Sequence, residues 1–345
     1  MNKIKYYPIE LSKHQKEQIL DLFPSVFNEK DIDKDNFNII FENNRPPDIL
    51  YHYTSLDTFR KILRRIEDEE KRHSKRGLCK SFVLRGSHIE YLNEVTEFKQ
   101  AAKLMAELVQ EYENTLNNNE NKNIASKLNE HYWEGIVTFH GIRTPPFITS
   151  FSEDDNNLPM WNTYGHNGMG IAIGIEKLEL NNLTYESNTG YPCWVKCIYQ
   201  DKLLKDNFLQ LIKKHIYNMF SLRNDSLIIK GIPDFDGLAK YFSILKNFAY
   251  EYEREWRLVK SYSCMDSNKE IKFHESNGLL KPYVEHKFPK TILKEVILGP
   301  CLDRGISKKS LIMSLERAGF STTKLNENQE NFVLVKCSEI PYRHI

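Results

Sequence analysis

The sequence predicts an α+β protein, in which separated strands alternate with long helical stretches and no internal repeat is visible. Strand-type runs stand at 50–54, 81–84, 171–175, 194–199, 253–260, 295–298 and 332–336. Between them, apolar residues recur at three- and four-residue steps, the helical period. At 345 residues the chain buries roughly three quarters of its unfolded surface, so its core needs neither disulfide nor metal. One large domain with decoration, or two, is the expectation.

In order along the chain, Leu11, Ile19, Leu20 and Phe23 suggest an N-terminal helical extension over 1–46, closed by Asn43-Asn44-Arg45-Pro46-Pro47. The main domain, 47–345, then opens on Leu50-Tyr51-His52-Tyr53-Thr54-Ser55, a strand with a histidine at its centre. Leu56, Phe59, Ile62, Leu63 and Ile66 form the apolar stripe of a helix entered from a Thr54 or Ser55 cap. Residues 60–76 hold eight basic and four acidic side chains, a local charge of +4. Such a segment either holds phosphates or forms a solvated face.

Asn93 reads as the cap of a long helix whose stripe runs from Phe98 to Tyr112, and a further helix is expected around 124–135. Strand and turn signals fill 147–175. Gly168-x-Gly170 precedes the run Ile171 to Ile175 rather than following a strand and opening a helix, so it is a turn with close backbone approach and no dinucleotide fingerprint. Helical patterns are assigned to 201–222, 235–250 and about 306–318.

The 48 basic residues nearly balance 47 acidic ones, which argues against a globally electrostatic nucleic-acid binder. Met1 to Pro8 lacks the apolar core of a secretory signal, and no apolar run reaches membrane-spanning length, so a soluble, cytoplasmic protein is expected, with no membrane partner. Six scattered cysteines fit reduced thiols. Cys193 and Cys197 are four apart, but nothing with ligand spacing completes a zinc site, and no metal is expected.

Chemistry is suggested by three strand segments. Alternation places Ser150 and Ser152 on one face of their strand, and Glu253, Glu255 and Arg257 on one face of theirs, with Trp256 and Leu258 turned to the core. Glu-x-Glu-x-Arg on one face is either a solvated surface or a cleft where positive charge develops. In the second case Arg257 keeps a carboxylate ionised. Cleaving the nicotinamide–ribose bond of NAD passes through an oxocarbenium-like state, and the leaving group departs neutral, so a single carboxylate suffices. Tyr164 is the candidate to stack on an aromatic ring of the ligand, and Trp161 packs the core or does the same.

The ordered set Leu50 to Ser55, Asn93 to Phe98, Ser150-Phe151-Ser152-Glu153, Trp161-x-x-Tyr164-Gly165, Gly168 to Ile173, Glu253-x-Glu255-Trp256-Arg257, Val296 to Pro300 and Ser338 to Arg343 resembles the bacterial domain-of-unknown-function family 2971. Asn93-Glu94-Val95 departs from that family's usual Asn-Asp-Pro, and 64–77 looks inserted. More distantly, histidine, Ser-x-Ser and Glu-x-Glu on separate strands resemble the ADP-ribosyltransferase arrangement. That likeness implies a split antiparallel β-barrel or sandwich with long helical insertions and NAD, as substrate, in its cleft. It further implies that His52, Thr54, Ser150, Ser152 and Tyr164 hold NAD, that Glu255 is catalytic, and that Glu253 activates or positions the acceptor.

His52 stands where arginine-modifying transferases carry arginine, so the macromolecular acceptor, protein or nucleic acid, stays open. A toxin or phage-defence effector fits the same likeness. Two other readings are a non-catalytic nucleotide-sensing or protein-interaction module, and a metal-dependent nuclease using Glu153, Asp154, Asp155 and Glu253.

Overall fold

The computed structural model describes residues 47–72, 81–92, 97–115, 124–129, 133, 146–176, 193–199, 220–223, 226–229, 243, 245–261, 270–276, 278–325, 329 and 331–342. The extension assigned to 1–46 lies outside the described residues. The opening strand, β1 (Ile49–Thr54), runs into helix α1 (Leu56–Arg72). Ser55 caps that helix, its Oγ accepting from the Thr58 amide at 3.1 Å. Ser55→Ala is expected to cost about 1 kcal/mol, read as a lower urea midpoint with an unchanged slope.

Next come β2 (Ser81–His88), helix α2 (Glu97–Thr115) and the short helix α3 (Ile124–Lys127). Glu113, buried near the end of α2, accepts from the Ile124 and Ala125 amides and so closes the N-terminus of α3. Then follow β3 (Pro146–Ser152), helix α4 (Leu158–Thr163), β4 (Ile171–Glu176), β5 (Cys193–Lys196) and β6 (Ile198–Tyr199). The hairpin β7 (Phe220–Arg223) and β8 (Ser226–Ile229) precedes β9 (Leu245–Lys246), a 3-10 turn at Phe248–Glu253 and β10 (Glu255–Ser261). The chain closes with β11 (Lys272–Ser276), β12 (Leu279–Pro289), β13 (Leu293–Leu298), helix α5 (Ile306–Arg317) and β14 (Leu334–Cys337).

Two assignments between 201 and 250 need correction. Residues 220–222 lie in the β7–β8 hairpin, and 245–250 hold a strand and a 3-10 turn, where helix was expected. Asn224-Asp225 between two apolar runs was the available hairpin cue. Strands β2 and β13 extend the runs read from sequence, and β11 and β12 lie where no strand was read.

Among the described residues ten strands form one open sheet, in the order β11-β12-β2-β3-β1-β4-β13-β14, with β10 on β3 and β5 on β10. All its pairings are antiparallel except β13 with β14. The protein is therefore α+β, as its alternation of strands and helices implied. The sheet divides at β3. One edge of β3 pairs with β10 along its whole length, from Ser152 opposite Glu255 to Pro146 opposite Ser261. Its other edge is shared: Phe147 and Ile148 face His88 and Ser87 of β2, whereas Ser152 faces Tyr51 of β1. No ladder spans 149–151 on that edge, so the two halves of the sheet part there.

Side chains take over where the ladder stops. The Thr149 hydroxyl donates to the Arg85 carbonyl at 3.3 Å, and His52 Nδ1 reaches the Ser150 carbonyl at 2.9 Å. Backbone groups in a protein interior need such partners, since an unpaired one costs about as much as a lost hydrogen bond. β4 is buried on both faces, which explains its unbroken Ile-Ala-Ile-Gly-Ile run. Ile171, Ile173 and Ile175 join Leu50, Phe59, Leu63, Leu311 and Leu315 in the main core. Ala172 joins Tyr51, Tyr53, Met160, Trp161 and Ile297 on the other side.

The described part of the basic segment is largely ion-paired. Lys61 meets Asp57, Arg64 meets Asp68, and Arg65 is forked to both oxygens of Glu285 at 2.6 and 2.9 Å. That is the solvated-face reading for 60–69, with one strut to β12.

Candidate functional site at the parting of the sheet

Where β1 and β3 diverge, a cavity of about 70 Å³ opens, lined by Tyr51, His52, Tyr53, Ser150, Phe151, Met160, Tyr164, Glu253 and Glu255. Five of the seven residues singled out from the sequence therefore meet: His52, Ser150, Tyr164, Glu253 and Glu255. Thr54 and Ser152 are not on its wall. Thr54 is buried in the β1–β4 ladder opposite Ile171. Ser152, wholly buried, acts as a clamp: its Oγ donates to the Glu253 carbonyl at 2.7 Å and accepts from the Asp154 amide at 3.1 Å.

The His52 ring lies in the gap of the split edge. Burial pushes it below the ordinary imidazole range, against the opposing pull of the Ser150 carbonyl, so the ring is neutral near neutrality. A carbonyl only accepts, so Nδ1 carries the proton and Nε2 offers a lone pair. Among the described residues nothing is seen to use that lone pair.

The path to the glutamates differs from simple alternation. Glu253 ends the 3-10 turn, and Arg254 follows in the left-handed region at φ 42° before β10 begins at Glu255. Despite that break, both carboxylates reach one ammonium group: Lys246 Nζ lies 2.5 Å from Glu253 Oε2 and 2.7 Å from Glu255 Oε2. Arg257 grips Glu255 with Nε on Oε1 and Nη2 on Oε2, each at 2.9 Å, and donates through Nη1 to the Ser243 carbonyl. The Tyr164 hydroxyl donates to Glu253 Oε1 at 3.0 Å. Tyr164 thus meets the site through its oxygen as well as its ring.

The two carboxyls are pushed apart. Burial alone raises Glu255, but Arg257 and then Lys246 outweigh it and hold the group well below the usual carboxylate range. For Glu253, burial wins: it is raised, with the charge of Glu255 adding to the rise and Lys246 opposing it. Environments that separate two titratable groups in this way commonly mark a division into permanent anion and proton-exchanging partner.

Sequence reasoning missed Lys246, Cys197 and Tyr199. Cys197 Sγ lies 3.4 Å from Glu255 Oε2, and the Tyr199 hydroxyl accepts from the Glu255 amide at 2.9 Å. A two-residue strand carries no periodic signal, so one lysine among 48 basic residues had nothing to distinguish it. Two carboxylates of the nuclease reading are paired elsewhere. Glu153 accepts from Lys196 and the Trp256 indole, and Asp154 accepts from Asn157 and Arg254. Among the described residues no group of three or more His, Cys, Asp or Glu is placed to hold a metal, and no helix is long and apolar enough to cross a membrane.

The glycine turn before β4 behaves as its spacing implied. Gly168 is left-handed at φ 79°, and a Cβ on Gly170 would collide with the Thr54 carbonyl. Residues 160–258 match the family model described as Protein of unknown function (DUF2971), the family that the ordered motifs resemble. The matched stretch contains Tyr164, Lys246, Glu253, Glu255 and Arg257, whereas His52 and Ser150 precede it. No curated protein and no solved structure gives a significant match to the chain.

Proposed function

We propose that this chain, whose residues 160–258 match the DUF2971 family model, is an ADP-ribosyltransferase-like enzyme that cleaves the nicotinamide–ribose bond of NAD, passing ADP-ribose to a macromolecule or to water. The observation that carries this reading is the convergence of His52, Ser150, Tyr164, Glu253 and Glu255 on one cavity at the parting of β1 and β3. Residues from four separate segments meet there, which solvated faces would not require. In this reading Glu255, held ionised, stabilises the cationic sugar electrostatically. Glu253, with the raised affinity for a proton, takes the proton of the incoming nucleophile. The neutral His52 accepts a ligand hydroxyl at Nε2, and Ser150 orients the same ligand.

The test is nicotinamide release from NAD by the full chain. Wild type is expected to release it, and Glu253→Gln and His52→Ala to lose at least about a hundredfold, in line with the loss of one transition-state contact. Labelled NAD with a cell lysate then identifies the acceptor as protein or nucleic acid. Release that is equal in wild type and Glu253→Gln overturns the assignment.

A second reading, a non-catalytic nucleotide-sensing module, is favoured by one observation. The cavity, about 70 Å³, is well below the ~300–1,000 Å³ of a ligand pocket, so it receives only the end of a dinucleotide unless it opens. Thermal stabilisation by NAD without release would select this reading.

A further inference from the structure

The Glu253–Glu255 pair carries its own cations. Lys246 and Arg257 are bonded to it, so the four formal charges at the cavity wall cancel. An electroneutral wall gives no net attraction to a positively charged ligand, because a cation entering beside Glu253 and Glu255 meets Lys246 and Arg257 as well. One of the two must yield before the carboxylates can serve a cation from outside.

The two are not equally held. Arg257 sits within β10, between β3 and β5, 1% exposed, with three hydrogen bonds to Glu255 and the Ser243 carbonyl. Lys246, 6% exposed, sits on the two-residue strand β9, whose partner among the described residues is the two-residue β6, and the half-buried Asn247 and exposed Phe248 and Ala249 follow at once. Its ammonium also lies 5.1 Å from the centre of the half-buried Tyr250 ring, whose face attracts a cation.

We infer that Lys246 is a resident counter-cation, which the carboxylate pair releases when an organic cation of the N-alkylpyridinium class takes its place in the cavity. The inference deepens the proposed function, whose substrate carries such a ring, and it makes Lys246 a positioning residue whose displacement arms the site. Among the described residues, the groups near its ammonium include Glu253, Tyr250 and Tyr252 from the 3-10 turn, Glu255 and Arg257 from β10, Cys197 beside β5, Tyr199 from β6 and Tyr164 after α4.

Binding of 1-methylnicotinamide and of its neutral relative nicotinamide, measured by calorimetry on the full chain at mildly alkaline pH, tests the inference without any turnover. Lys246→Met is expected to bind the cation at least about tenfold more tightly than wild type, with nicotinamide unchanged and Lys246→Arg like wild type. Lys246→Met/Glu253→Gln restores charge balance and is expected to lose the gain. Equal binding of the cation by wild type and Lys246→Met overturns the inference.

Should Lys246→Met not fold, wild type alone decides. Reductive methylation read by mass spectrometry should spare Lys246 in the free protein and label it at saturating 1-methylnicotinamide. Protection that persists, or no binding of the cation by either form, overturns it. Failure of the enzyme reading looks different: no nicotinamide is released from NAD, while the gain in cation binding remains.

Discussion

Glu255→Gln is expected to lower the folding stability of this protein by about 3–5 kcal/mol, the usual cost of removing one partner from a buried ion cluster. The reason lies in what the carboxylate holds. Arg257 and Lys246 are almost fully buried, and three of their hydrogen bonds end on its two oxygens. Glutamine keeps the shape but supplies one acceptor and no charge, which leaves two cations facing Glu253 alone. Urea unfolding should show a lower midpoint with an unchanged slope.

Glu253→Gln should cost much less, because burial already raises Glu253 toward its neutral form. An identical midpoint for Glu255→Gln and wild type would show that the carboxylate is not held as an anion. The consequence for enzymology is direct. Loss of activity in Glu255→Gln mixes a chemical effect with an unfolding effect, so Glu253→Gln and His52→Ala are the cleaner catalytic variants.

How much of this was legible in the sequence follows from which physical signals are local. His52, Ser150 and Glu255 were readable because each sits in a run with two-residue alternation, and alternation fixes which side chains share a face. Glu253 lines the cavity it was grouped with, but from a 3-10 turn rather than from the strand. Arg254 breaks the strand geometry in the left-handed region, yet the turn delivers the carboxylate to the same lysine. Ser152 kept its face but not its expected task, since a serine beside an orphaned backbone carbonyl becomes a clamp.

Lys246 was invisible, because its importance arises wholly from residues seven and nine positions on folding back to it. The parting of the sheet at β3 is likewise a property of three strands together. No single run of residues encodes which edge of β3 will be shared. The α+β class, by contrast, needs only the sum of local periodicities, and the turn at Gly168 and Gly170 only the absence of a side chain.

Acid is expected to destabilise the protein well above the range in which carboxylates titrate, through His286. This ring is fully buried on β12, with Nδ1 3.0 Å from the Thr149 hydroxyl, Nε2 without a partner among the described residues, and its face against Gly86, where a Cβ would come within 2.9 Å of the ring. Burial, with a further contribution from the charge of Lys260, pushes it down to about 3.

An unfolded histidine takes up its proton near pH ~6.5, whereas the folded one resists until about 3, so between those values the unfolded state binds more protons and stability falls as pH falls. By pH ~5 the loss attributable to this one ring is about 2 kcal/mol. His52, also lowered by burial, acts in the same direction.

Glu285 acts in a lower window. Burial alone would raise it, but Arg65 and Lys272 hold it down at about 2, so its contribution is intact above the unfolded value of ~4.3 and is lost progressively as pH falls from there through about 2. Unfolding midpoints measured from pH ~7 to ~5 therefore report chiefly the histidines, with Glu253, raised by burial, acting in the opposite direction. His286→Gln, which cannot titrate, should flatten that part of the profile by about 2 kcal/mol, and His52→Gln should remove a separate share. A His286→Gln profile parallel to wild type would mean that the buried ring takes up its proton at an ordinary pH, and the packing over Gly86 would then have to yield to a charged imidazole.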